Sequence, residues 1–215
     1  ENTIHYQLSP EELVQEALRL GEGELNDTGA LVINTGEFTG RSPKDKFTVK
    51  DEITTETVNW NDFNQSIEER YFEIIKQKIT AYLDSRKELW VRDAYACADQ
   101  RYRINIRVVN EQPAGNLFAY NMFLRPQEHE LDSFKPDWTI LCAPGLLLDA
   151  KECGTRQHNA AVISFKQKLI LIAGTGYTGE MKKGIFSILN YILPYEKGVL
   201  SMHCSANMGK AGDTA

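Results

Sequence analysis

Cysteine is scarce in this sequence. Cys97, Cys142, Cys153 and Cys204 are spread over 215 residues, and no two are separated by two positions. That spacing argues against a zinc knuckle or a thioredoxin-type pair. A chain of this length does not need disulfides to fold, so four reduced thiols are expected. Positive charge is in the minority: Lys plus Arg number 24 against 30 Asp plus Glu, a formal charge of −6. Nucleic-acid-binding domains usually carry a basic stripe; only short basic clusters occur here, so no nucleic-acid partner is expected. No apolar run approaches the roughly 18–20 residues of a membrane span. Glu1-Asn2-Thr3-Ile4 has no basic region ahead of an apolar stretch, so no signal peptide is expected. It also lacks an initiator Met, as a processed or trimmed chain would.

What is present has globular proportions. Hydrophobic residues make up 42% and charged residues 25%, which excludes collagen-like, low-complexity and disordered classes. Size scaling gives a folded surface of about 10,000 Å² against about 35,000 Å² unfolded, enough burial for a substantial core.

Ser9, Pro10 and Glu12 have the spacing of a capping box with proline at the first helical position. A helix follows, with Leu13, Ala17 and Leu20 on one face and Gly21 or Gly23 at its end. Residues 30–34 read as a buried strand, 35–46 as a Gly-rich polar loop and 47–50 as a strand. Ser66 and Glu69 repeat the capping-box spacing and predict an amphipathic helix over 66–86. Ile104, Ile106 and Val108 alternate with Arg103, Asn105 and Arg107, the pattern of a half-exposed strand. A helix is predicted over 116–123 and a strand over 138–142. Two strands, 160–165 and 168–173, have hairpin spacing. The loop 174–179 leads to a helix over 180–193, stopped by Pro194. A last strand is predicted over 199–204, with a loop-like tail over 205–215. The fold class expected is α/β: a single domain, residues 1–204, with a mixed β-sheet flanked by helices.

Three segments carry candidate chemistry. The loop 35–46 holds Arg41, Lys44 and Lys46 among glycines and hydroxyls. Glycines let backbone N–H groups approach an anion, and arginine grips a carboxylate or phosphate through two parallel hydrogen bonds. A solvated turn is the alternative. Residues 174–179 match Gly-x-Gly-x-x-Gly, but a dinucleotide fingerprint also wants an acidic residue ending the next strand. Glu196 precedes that predicted strand, so nicotinamide binding is disfavoured. Lys182 and Lys183 fall in the predicted first helical turn, where the helix dipole favours anions over cations; an anionic ligand would relieve the conflict, or both lysines point to solvent. His203 lies in an apolar run, either a satisfied core residue or a group brought beside the lysines. Tyr177 is a polar hook or a packed ring.

Gly40-Arg41-Ser42-Pro43-Lys44-Asp45-Lys46-Phe47, Tyr177-Thr178-Gly179-Glu180-Met181-Lys182-Lys183-Gly184 and Ser201-Met202-His203-Cys204-Ser205-Ala206-Asn207 together resemble ATP-dependent phosphoenolpyruvate carboxykinase, over essentially the whole chain. The resemblance implies a cytoplasmic gluconeogenic enzyme converting oxaloacetate and ATP to phosphoenolpyruvate, CO2 and ADP, with Mn2+ at the reacting centre and Mg2+ on the nucleotide. It implies that Arg41 and Tyr177 hold the substrate carboxylate or departing CO2. Lys183 and His203 would bind Mn2+ and approach the nucleotide, and Lys182 would face substrate or the transferred phosphoryl group. Family members continue into a Gly-rich phosphate loop, an Asp metal ligand and a further arginine. This sequence ends at Ala215 before them and corresponds to roughly the first two-fifths of a member. It is therefore expected to be an N-terminal, substrate-binding portion with a tail, residues 205–215, leading toward a nucleotide-binding domain. Alone it is expected to be inactive and to hold neither metal nor nucleotide. The alternative is a free-standing anion-binding or regulatory module.

Overall fold

The computed structural model describes residues 2–215; Glu1, where the expected domain and the N-terminal reading begin, lies outside the described residues. The chain builds an α/β fold on one mixed sheet of eight strands. In chain order its elements are β1 (Thr3–Tyr6), α1 (Pro10–Arg19), β2 (Gly23–Leu25), β3 (Leu31–Ile33), β4 (Lys46–Lys50), β5 (Gln65–Glu68), α2 (Glu69–Asp84), β6 (Glu88–Ala96) and β7 (Ile104–Asn110). Then come α3 (Pro113–Met122), α4 (Glu128–Leu131), β8 (Trp138–Ala143), α5 (Ala150–Cys153), β9 (Ala160–Ser164), β10 (Leu169–Ala173) and α6 (Gly179–Tyr191). The spatial order is β1-β6-β7-β8-β10-β9-β4-β5, with β2 and β3 paired apart from it. β6–β7 and β9–β10 are antiparallel, and the other neighbours in the sheet are parallel.

Both faces of the sheet are covered, so its central strands are apolar throughout rather than alternating. In β10, Ile170 and Ile172 face α3 and α6 in one cluster with Ile106, Ile140 and Ile185. Leu171 and Ala173 face α2 in the other, with Phe72, Ile75 and Ile79. The capping box at α1 is formed: Ser9 Oγ accepts from the Glu12 N–H at 3.2 Å and Glu12 Oε2 accepts from the Ser9 N–H at 2.8 Å.

Several elements depart from the sequence expectation. Ser66 caps nothing: residues 65–68 pair in parallel with β4, and α2 starts only at Glu69. β1 and β6 carry no clear sequence signal, because β6 is interrupted by Arg92 and Asp93, which are nonetheless buried. The helix predicted from 116 begins at Pro113, at its first helical position. Pro194 does not end the chain's helical path; a π-turn carries it through Ile192–Glu196. The strand predicted over 199–204 is absent. The π-turn leads the backbone away from the sheet, whose edges are β1 and β5, and Leu200 and Met202 are exposed. The surface area is 12064 Å², above the roughly 10,000 Å² of size scaling, in keeping with the exposure of most of residues 197–215. No helix among the described residues is long and apolar enough to cross a membrane.

Glu22, just beyond α1, accepts a hydrogen bond from the Ala114 N–H at the start of α3 at 3.0 Å. Burial pushes its carboxyl from 4.5 up to about 7, and nearby Glu111 adds to the effect. The folded chain therefore holds this proton up to about pH 7, whereas the unfolded chain releases it near 4.5. Stability falls as pH rises between those values. Glu22→Gln is expected to flatten that fall by about 1–2 kcal/mol, the full linkage being reduced for partial exposure. Urea unfolding at pH 5 and pH 8 checks it: equal losses in both proteins would remove Glu22 from the account.

Candidate functional site

The anion-binding candidates meet at one end of α6. The loop before β4 is tied down from behind. Asp45, 1% exposed, receives both Arg156 Nε at 2.8 Å and Arg156 Nη2 at 2.7 Å, with Gln157 Nε2 at 3.0 Å. A short 3-10 turn, Pro43–Asp45, follows, closed by the Asp45 N–H on the Ser42 carbonyl at 2.9 Å. The loop before α6 touches the same segment: a Cβ on Gly176 would lie 2.7 Å from the Thr35 carbonyl oxygen, so only glycine permits the approach. From the helix side, Glu180 Oε1 accepts the Ser42 N–H at 2.9 Å.

These ties place Arg41, Lys46, Glu180 and Lys183 around one cleft of about 230 Å³. Arg41 is exposed, whereas Lys46 and Lys183 are half-buried. Lys46 Nζ donates to Ser187 Oγ at 2.7 Å. Its pKa is lowered by burial, with Arg41 and Lys183 contributing and Glu180 opposing. Lys183 Nζ stands 3.5 Å from His203 Nε2 and 4.8 Å from the centroid of the Phe186 ring. Loss of solvation lowers the Lys183 pKa, and repulsion from Arg41 and Lys182 lowers it further. None of Arg41, Lys46, Lys182 and Lys183 belongs to an ion pair among the described residues. Three cations around one carboxylate, itself committed to a backbone N–H, make a cleft that attracts anions.

The expected residues are partly reunited. Arg41 and Lys183 share the cleft, and His203 joins Lys183 from the exposed segment after the π-turn rather than from a strand. Lys182 faces away, into a neighbouring cleft lined by Tyr95, Cys97 and Phe186. Tyr177 is half-buried in the loop, its N–H donating to Thr175 Oγ1 at 3.1 Å. The expected conflict with the helix dipole is softened: α6 starts at Gly179, so the lysines occupy its fourth and fifth positions while Glu180 takes the first turn. Lys46 was expected only as one of the three cations of the loop, and Glu180 and Ser187 were not singled out as site residues. The place of Lys46 beside Arg41 was the available signal, but only folding shows that its ammonium enters the cleft. Glu196, needed for the dinucleotide reading, lies exposed in the π-turn.

Comparison with known proteins decides the family. The profile of the family described as phosphoenolpyruvate carboxykinase, in its ATP-dependent form, matches residues 2–215. The chain belongs to this family. A phosphoenolpyruvate carboxykinase (ATP) of Christiangramia forsetii is 56% identical over 213 residues, covering 99% of this chain and 40% of that relative. One of Flavobacterium johnsoniae is 55% identical with the same coverage, and one of Geobacillus kaustophilus is 46% identical over 212 residues. The chain thus spans about 40% of the length of the curated relatives it matches.

Lys183 and His203 are two adjacent nitrogen donors. Manganese accepts nitrogen and oxygen ligands in octahedral geometry. A neutral lysine and a neutral imidazole fit part of such a set, and the lowered pKa of Lys183 favours the neutral amine.

Proposed function

We propose that this chain is the N-terminal, substrate-binding portion of a cytoplasmic, gluconeogenic, ATP-dependent phosphoenolpyruvate carboxykinase, which turns oxaloacetate and ATP into phosphoenolpyruvate, CO2 and ADP. The observation that carries the reading is the convergence of Arg41, Lys46 and Lys183 on one cleft, with His203 beside Lys183. Arg41 grips the carboxylate that departs as CO2, and Tyr177 bounds the same end. Decarboxylation moves an electron pair toward the carbonyl oxygen, which then takes the γ-phosphoryl group of ATP. Cations held in place before the reaction stabilise that charge without reorganising. Lys183 and His203 would hold Mn2+, which supplies a Lewis acid at that oxygen when bound. Loss of solvation, with repulsion from Arg41 and Lys182, favours the neutral form of Lys183, and Lys182 is the candidate to meet substrate or the phosphoryl group. Mg2+ accompanies the nucleotide, whose cradle would come from a separate nucleotide-binding domain. Alone, the chain is expected to lack carboxykinase activity.

The test is a thermal-shift titration with oxalate, with and without Mn2+, on this chain and on Arg41→Ala. Binding to the native state alone stabilises by about 2.7 kcal/mol at a hundredfold excess over Kd. A saturable shift lost in Arg41→Ala is expected. A shift that survives the substitution would remove Arg41 from the site.

A further inference from the structure

A larger cleft, of about 540 Å³, adjoins the first; Lys46, Phe63 and Asn64 line both. Its volume lies within the range of small-molecule pockets. No Asp or Glu lines it, and Lys46 is its one charged group. An ammonium carries three N–H donors, and one is used on Ser187 Oγ. The carboxylate that acts on Lys46 from nearby, Glu180, is already engaged by the Ser42 N–H. Further along α6, the exposed Asn190 accepts at Oδ1 from Ser201 Oγ at 2.6 Å, and its amide nitrogen has no protein partner among the described residues.

The opposite character prevails at the rim. Phe63 is 82% exposed and Tyr195 61% exposed, and both line the cleft. Phe63 is not a loose side chain on a loose loop: Asn61 Oδ1 accepts from the N–H groups of Phe63 at 2.8 Å and Asn64 at 3.1 Å. The Tyr195 ring lies 5.1 Å from Tyr191, which in turn lies 4.5 Å from Phe165. Exposed rings that bracket a cavity offer faces and edges to a planar guest. Lys46 is the one cation lining the cavity, and Arg41 and Lys183 stand behind it in the adjoining cleft, so a carboxylate meets positive charge at that end.

We propose that this cleft is a second binding site, for a small aromatic monocarboxylate, with its carboxylate on Lys46 and Asn190 and its ring between Phe63 and Tyr195. The proposal does not depend on the reaction assigned to the Arg41 cleft. Neutral aromatics lack the partner for Lys46, and compact dianions lack the ring.

The probe is 2-naphthoate, followed by ligand-observed saturation-transfer NMR and calorimetry on this chain, with 2-naphthylmethanol and cyclohexanecarboxylate as controls. Saturable binding of 2-naphthoate is expected, with both controls weaker by about tenfold, the equivalent of one good contact. Phe63→Ala and Asn190→Leu are each expected to weaken it about five- to tenfold, in the range of interface hot spots, whereas Arg41→Ala, which touches only the field at Lys46, changes it less than either. Phe63 is so exposed that its removal spares the fold. No saturation below about 10 mM, a very weak Kd, overturns the site. Equal binding of the alcohol overturns the role of charge, and equal binding of cyclohexanecarboxylate that of the rings. Insensitivity to both cleft substitutions, or a greater loss in Arg41→Ala than in either, places the ligand elsewhere and overturns the proposal.

Discussion

Arg107→Ala is expected to cost about 3 kcal/mol, the range for removing one partner of a buried ion pair, and to lower Tm by roughly 6–12 °C at this chain length. Arg107 on β7 donates Nε and Nη2 to the two oxygens of Asp93 on β6, both at 2.7 Å. Asp93 is 1% exposed. Its other side-chain donor is Tyr6 on β1, whose hydroxyl reaches Oδ2 at 2.7 Å. Burial and the Asp93 carboxylate together push the Tyr6 pKa up to about 12, so the phenol stays a donor at neutral pH. Without Arg107 the carboxylate keeps one neutral donor in a dry setting. Thermal and urea unfolding give the number. Replacing Asp93 and Arg107 together by leucines should recover much of the loss, because no buried charge is then stranded. A single-variant loss below about 1 kcal/mol, the scale of an exposed pair, would mean that water already screens the pair.

Gly174→Ala is expected to be comparably severe and to damage the candidate site as well. Gly174 follows β10 with φ +71, and an added Cβ would lie 2.4 Å from the His158 carbonyl oxygen and 3.0 Å from the Asn159 Cα. Both obstacles are backbone. The left-handed conformation alone costs an L-residue about 1–2 kcal/mol, and relieving the contact must move either the 158–159 segment or the loop that carries Tyr177. That loop sets the start of α6, and with it Glu180 and Lys183. A fall of about 3 kcal/mol in stability is expected, together with loss of the oxalate response. Circular dichroism melts and the thermal-shift titration read the two effects separately. Wild-type stability in this variant would show that the loop yields at no cost.

The elements legible in the sequence were those with one strong local signal. The capping box at Ser9 and Glu12, the apolar run of β10 and the hairpin spacing of β9 and β10 all formed. What escaped was set by long-range partners. β6 is hidden by Arg92 and Asp93, whose burial makes sense only once Arg107, Tyr6 and Asn116 surround them. Residues 65–68 read as a helix start until β4 offers an edge to pair with. Residues 199–204 read as a strand because their apolar pattern says nothing about whether an edge is within reach. At the site, the motifs exposed Arg41, Tyr177, Lys182, Lys183 and His203; the fold brings Arg41, Lys183 and His203 together and turns Lys182 into a neighbouring cleft. The pull of Glu180 on the Ser42 backbone had no sequence signal, since its residues are 138 apart in the chain.

The strand order carries a consequence for how the chain is made. β4 enters the sheet only by pairing with β9, and β5 only by pairing with β4. The segment that presents Arg41 and Lys46 therefore has no sheet to join until residues near 164 exist. At ribosomal speeds of about 5–20 residues per second, roughly 6–24 s pass between the synthesis of β4 and that of its partner. During that interval β4, which carries Phe47 and Val49, and the cationic loop before it have no main sheet to join. The half of the cleft encoded first thus waits on the β9–β10 hairpin, which forms shortly before α6 brings the other half.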